Sequence, residues 1–174
     1  ISMGVQSLNA DLLDRLGRVH SRAMVFKSYD NLRAAGFERI NLDLMFAIPS
    51  QTIEVWLSSL RETVELEPEH LSCYEVIYEQ DTPLYDQLQA GEFEVREDLA
   101  CDMFEELVQF AGERGYHQYE VANFGQNKDN GDFIIPTEAC RHNINYWRGG
   151  DYHGLGPSAG GYVGGVRTTN IANT

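Results

Sequence analysis

Between Cys140 and Gly150 the chain reads CRHNINYWRGG, which sets a thiol, an imidazole, two amides and two large aromatic rings into eight residues. Such a set could hold a metal ion, pack a helix into a core, or present a flat apolar surface to a flat ligand. On a helix expected to start near Thr137, His142 and Tyr146 are four apart and share a face, while Asn143 and Trp147 share the neighbouring one. On residue type alone, a histidine beside aromatic rings is more often a hydrogen-bonded structural residue than a ligand. Half of the 16 glycines follow Trp147, so the backbone beyond the block is able to approach a ligand closely.

A second constellation is spread over three apolar segments. In INLDLMF, Ile40, Leu42, Leu44 and Phe46 alternate with Asn41, Asp43 and Met45, so a strand here carries an amide and a carboxylate on one face. A parallel strand is normally covered on both faces, and burying these groups is costly unless they bind a ligand or neighbouring backbone. ISMGVQS ends in Gln6 and Ser7, at the carboxyl end where α/β folds place ligand groups, and HLSCYEVIYE carries Glu75 between apolar neighbours. Three strands bearing polar groups toward a common end suit a small polar molecule lying across the strand tips.

These residues need a scaffold, and the chain's pattern supplies one. Apolar runs alternate with amphipathic stretches: strands are expected at 1–5, 40–46, 71–78 and near 119–122, and helices at 10–16, 23–35, 53–66 and 98–113. This spacing is that of β-α units with parallel strands, hence an α/β fold. Gly36 fits a helix C-cap, and Ser50 or Thr52 a helix N-cap. The segment 125–136, GQNKDNGDFIIP, reads as an exposed loop, and the glycine-rich last quarter as a short helix followed by strands or loops.

Composition narrows the classes. The formal charge of −14, from 27 acidic and 13 basic residues, argues against nucleic acid and against an anionic membrane surface. No apolar run approaches the roughly 18–20 residues that cross a bilayer, and no signal peptide opens the sequence, so a cytoplasmic protein is expected. Cys73, Cys101 and Cys140 lie 28 and 39 residues apart, which fits neither a disulfide framework nor the close pairs of zinc and iron-sulfur sites. The chain opens at Ile1 in what reads as a strand and stops at VRTTNIANT without a cap, so a piece of a longer protein is expected.

In order, ISMGVQSLNADLLDRLGRVH, GFERINLDLMFAIPSQT, PEHLSCYEVIYEQDTPLY, GYHQYEVANF and CRHNINYWRGGDYHGLGPSAGGY resemble successive blocks of the radical S-adenosylmethionine (SAM) proteins related to oxygen-independent coproporphyrinogen III oxidase. The likeness runs nearly end to end outside the 125–137 loop, and YEVANF and HNINYW resemble the haem-chaperone branch rather than the oxidase. It implies part of a partial (β/α) barrel over 1–124, the loop 125–137, and a family-specific helix with a glycine-rich extension over 138–174.

The resemblance also implies site residues. SAM contacts fall on Gln6, Arg18 and Asp43, with a backbone or apolar contact at about Ile77. A carboxylate and an amide suit ribose hydroxyls and the amino-acid part of SAM, and an arginine suits its carboxylate. For haem it implies His142 as candidate axial ligand, with Cys140 in competition, Tyr146 and Trp147 as a stacking surface, and Arg141 or Arg148 toward the propionates. The Cys-x3-Cys-x2-Cys motif of the [4Fe-4S] cluster does not occur in this sequence, so the cluster belongs to a longer protein and this chain alone is expected to be inactive. A Gly-Ala-His-Ser-like run of the family reads Ser158, Ala159, Gly160 and Gly161 here, without the histidine.

The functions expected are thus a haem chaperone that binds haem and SAM and passes haem to an acceptor protein, or an oxidase that decarboxylates two propionates of coproporphyrinogen III. A third is an unrelated barrel enzyme with Asp43 and Glu75 as acid and base. The expected partners are haem or porphyrin, with self-association through an open strand edge near Ile1.

Overall fold

The computed structural model describes residues 1–129, 132 and 134–172, so parts of the expected 125–137 loop and of the 138–174 segment lie outside the described residues. The chain divides into two units, Ile1–Glu138 and Ala139–Thr174.

Unit 1 opens with β1 (Ser2–Gln6), α1 (Ala10–Arg15), α2 (Arg22–Ala34), β2 (Asn41–Phe46), α3 (Ile53–Val64) and β3 (His70–Glu75). Asn9, Ser21 and Thr52 cap the three helices through their side-chain oxygens. A short α4 (Pro83–Gln89), α5 (Glu97–Glu113), β4 (Tyr116–Gln118) and β5 (Asn123–Gln126) follow. The α4 helix lies in a stretch for which the sequence pattern predicts no element; Thr82 caps it, Pro83 opens it, and none of its residues is buried.

The strands form one sheet in the order β1-β2-β3-β5-β4, so β1 is an edge strand. The first three are parallel, but β5 runs antiparallel to both β3 and β4. Two corrections follow. The strand expected near 119–122 is the turn between β4 and β5, closed by Tyr119 N–H donating to the Asn123 carbonyl at 3.2 Å. So short a connection permits only a hairpin, since parallel neighbours need a crossover of about a dozen residues. The fold is therefore mixed α/β around a parallel core of three strands.

The pleat gives this sheet two unlike faces. On one, Leu42 and Leu44 align with Leu71 and Cys73 and, with Phe46, pack under Trp56 and Leu60 of α3 and Met103 and Leu107 of α5. The Trp56 indole N–H donates to the Met103 carbonyl at 3.0 Å, which joins the two helices above the sheet. On the other face, register places Ser2, Asn41 and His70 in one row and Gly4, Asp43, Ser72 and Asn123 in the next. At the amino end of β2 and β3, Arg33 donates to Glu69 (2.9 Å), to the Tyr29 hydroxyl and to the carbonyls of Phe37, Glu38 and Glu67. Glu69 in turn accepts from Ile40 N–H at 3.1 Å.

Unit 2 holds α6 (Arg141–Trp147) and an antiparallel hairpin of β6 (Gly160–Val163) and β7 (Val166–Thr169). The helix starts at Arg141 rather than near Thr137, and its N-cap Cys140 makes no side-chain capping bond. Gly164 and Gly165 both have positive φ, +59° and +82°, as a two-residue hairpin turn with matched twist requires. No helix among the described residues is long and apolar enough to cross a membrane.

Candidate functional site

The polar face of the sheet carries a continuous hydrogen-bond network. Asp43 accepts from the Ser2 hydroxyl at 3.0 Å and from Asn41 Nδ2 at 2.7 Å. Asn41 Nδ2 also donates to Ser2 Oγ at 2.8 Å. His70 Nδ1 lies 2.6 Å from Asn41 Oδ1, and its Nε2 lies 2.7 Å from the Tyr119 hydroxyl. Because Asn41 Oδ1 can only accept, Nδ1 carries the imidazole proton and Nε2 accepts from Tyr119. Burial pulls the His70 pKa down to about 4, so the ring is neutral near pH 7. The Ser72 hydroxyl is shared between Asn41 Oδ1 at 3.1 Å and Asn123 Oδ1 at 2.6 Å, and Asn123 donates to Glu120.

Gln6 joins this face through an unusual backbone. Its φ is +63°, and Ser7 N–H donates to the Val5 carbonyl at 2.8 Å across it, the bond pattern of a γ-turn. The register of β1 against β2 shifts between Gly4 and Gln6. The Gln6 side chain turns back over Gly4, where a Cβ would meet Nε2 at 2.8 Å. Gly4 is the register partner of Asp43, so amide and carboxylate share one face.

Arg18 lies in the connection from α1 to α2, exposed, its N–H donating to Leu13 at 2.8 Å. Two residues on, His20 Nε2 donates to the Val5 carbonyl at 3.0 Å and ties this connection to the end of β1. Ile77 follows the end of β3 and is 75% exposed. It lines a cavity of about 720 Å³ with Phe46, Cys73, Cys101, Phe104 and Val121, which groups it with the helix-covered side rather than with Asp43. Glu75 is a second departure. It is the last residue of β3 and pairs in register with Phe46, so it does not share the Asp43 face.

In unit 2, His142 and Tyr146 meet edge to face with ring centroids 4.5 Å apart. Tyr146 continues onto Tyr152 at 4.1 Å, and Tyr152 onto Tyr162 at 6.3 Å. An isolated β-bridge pairs Tyr152 with Tyr162. Trp147, on the neighbouring face, is 62% exposed, as are the side chains of His142, Arg141 and Arg148 in lesser or greater degree. The glycines here serve the chain itself. A Cβ on Gly154 would sit 2.4 Å from the Gly160 carbonyl oxygen, and one on Gly150 would strike the Asn145 amide.

Sequence reasoning brought Gln6 and Asp43 together, and His142 with Tyr146. It missed Ser2, His70, Ser72 and Asn123, and the tyrosines at 152 and 162. Alternation in HLSCYE sets His70 and Ser72 on one face, but only the register of β3 against β2 turns that face toward Asp43. Among the described residues, no group of three or more His, Cys, Asp or Glu could hold a metal ion.

No family model matches the chain. It is 37% identical over 172 residues to the haem chaperone HemW of Lactococcus lactis, covering 98% of this chain and 43% of that protein. It is 36% identical over 169 residues to HemW of Escherichia coli, with coverages of 94% and 40%. The radical S-adenosyl methionine domain-containing protein 1, mitochondrial, of Danio rerio is 37% identical over 161 residues, covering 92% of this chain and 34% of that one. Among solved structures, coproporphyrinogen III oxidase (HemN) from Escherichia coli, a radical SAM enzyme, superposes with a TM-score of 0.76 over 99% of this chain and 40% of that one. At 21% identity that likeness shows a shared fold. The chain spans less than half the length of these relatives, and over that span it is a homologue of the HemW haem chaperones and of the radical SAM domain-containing protein.

Proposed function

We propose that this chain is the part of a cytoplasmic HemW-type haem chaperone that binds haem through unit 2 and SAM through unit 1, for delivery of haem to an acceptor protein. The observation that carries the reading is the 37% identity to HemW across 98% of the chain. The aromatic run His142–Tyr146–Tyr152 supports it, since an imidazole and stacked phenol rings suit a planar metalloporphyrin, with Arg141 opening the short α6 helix and Arg148 capping its far end for the propionates. Haem would take His142 as axial ligand and Tyr146 and Trp147 as its platform, with Cys140 the competing thiolate.

For SAM, the shared face of Gln6 and Asp43 fits a ribose diol and neighbouring polar groups, with Arg18 toward the amino-acid carboxylate. Ile77 lies past the end of β3 and off that face, so its backbone or apolar contact would reach the ligand only around the strand tip. The [4Fe-4S] cluster, which in radical SAM chemistry supplies the electron that cleaves SAM, would be held by residues of a longer protein. Self-association through the β1 edge belongs to the same proposal. The oxidase reading has only the fold in its favour.

Haem titration tests this. The wild-type chain should give a shifted Soret band, and His142→Ala should lose that shift and weaken binding about tenfold or more, about 1.4 kcal/mol. Identical spectra and affinities would remove His142 as the ligand, and an unshifted wild-type band would remove the haem reading.

A further inference from the structure

We propose that Asn41 is the positioning residue of Asp43 and that His70, from the neighbouring strand, fixes Asn41 in that role. The inference rests on the reading of Asp43 as the carboxylate that accepts the ribose hydroxyls of a nucleoside ligand.

Asp43 can accept a vicinal diol only if its carboxylate plane is held and one side of it is left for the ligand. The Asn41 amide does the holding. One Nδ2 hydrogen points at Asp43 Oδ1 (2.7 Å) and the other at Ser2 Oγ (2.8 Å), which itself donates to the carboxylate. Rotating the amide by half a turn would aim Oδ1 at the carboxylate, acceptor against acceptor. His70 prevents that rotation, because its Nδ1–H, 2.6 Å from Asn41 Oδ1, needs an acceptor there. Its ring is held in turn by Tyr119 through Nε2 at 2.7 Å and packs edge-on against that tyrosine ring. His70 is only 7% exposed, so water does not readily replace these partners. The chain of donors thus runs in one direction, from Tyr119 through His70 and Asn41 to Asp43. It uses up both Asn41 hydrogens and leaves Asp43 Oδ2 with the Ser2 hydroxyl as its partner.

A network that only fills a polar sheet face would, when broken, weaken all ligands alike. One that positions a carboxylate would, when broken, erase preference for the diol. Calorimetric titration of the chain with adenosine and with 2′,3′-dideoxyadenosine separates these cases. Wild type should favour adenosine by about tenfold to a hundredfold, the range for hydrogen bonds to a charged group. Asp43→Ala should bring the ratio to about one. Asn41→Ala should bring it within about twofold of one while dideoxyadenosine affinity stays as in wild type. His70→Leu should lower the ratio severalfold, and His70→Asn, which keeps an N–H donor, should restore most of it. If Asp43→Ala loses the preference but Asn41→Ala and His70→Leu keep it, the positioning role fails and the Asp43 reading stands. Equal weakening of both ligands in Asn41→Ala and His70→Leu also overturns the positioning role. A wild type with no preference for the diol overturns both. Should Asn41→Ala not fold, the His70 pair decides.

Discussion

At the scale of single residues, Gly4 governs Gln6. A methyl group at Gly4 would meet the tip of the Gln6 amide at 2.8 Å, and that tip is flexible, so the chain can yield by moving Gln6 rather than backbone. Gly4→Ala should therefore change stability by less than about 1 kcal/mol, helped by the lower entropy of the unfolded chain. Adenosine affinity should fall by as much as in Gln6→Ala, and an unchanged affinity would show that Gln6 takes no part. Gln6 and Asp43 were legible in the sequence because one closes an apolar strand and the other interrupts one. His70 was not, because a histidine opening a strand looks like a turn residue until the register places it beside Asn41. Glu75 failed for a matching reason: parity sets it with Leu71 and Cys73, but only the register with Phe46 shows that this is the face turned away from Asp43.

At the scale of elements, the amino ends of β2 and β3 depend on Arg33. It lies in the last turn of α2, yet it bonds Glu69 and the carbonyls leading into both strands. The pair is partly buried, with side-chain exposures of 30% and 13%, and Lys128 lies 4.0 Å from the same carboxylate as a remaining cation. Arg33→Met should cost about 2 kcal/mol, seen as a lower urea midpoint at unchanged slope. No shift in midpoint would make the arginine a bystander. The β-α alternation up to β3 could be read from periodicity, and so could the long amphipathic α5. The β4–β5 hairpin could not, because its strands are three and four residues long and the apolar segment between them is a turn. Nor could α4, whose Thr-Pro opening is a helix signal without an apolar face to confirm it.

At the scale of the whole molecule, the buried His70 couples the fold to pH. Its pKa falls from 6.5 to about 4 on folding because burial disfavours the charged ring. Between those values the unfolded chain binds a proton that the folded chain does not, so stability is full above pH 6.5 and declines as the pH falls toward 4. The decline amounts to about 2 kcal/mol between pH 7 and pH 5. Melting wild type and His70→Gln across that interval should show a smaller loss in the variant, and parallel curves would place the coupling elsewhere.

The two unlike faces of the sheet also bear on how the chain avoids misfolding. Sliding β2 by one residue against β1 or β3 would carry Asp43 and Asn41 under Trp56 and expose Leu42 and Leu44 to the polar network. A buried carboxylate without donors is among the costliest defects a core can hold. The polar groups of this face therefore proofread strand alignment, and a variant such as Asp43→Leu would leave a β2 that pairs almost as well out of register.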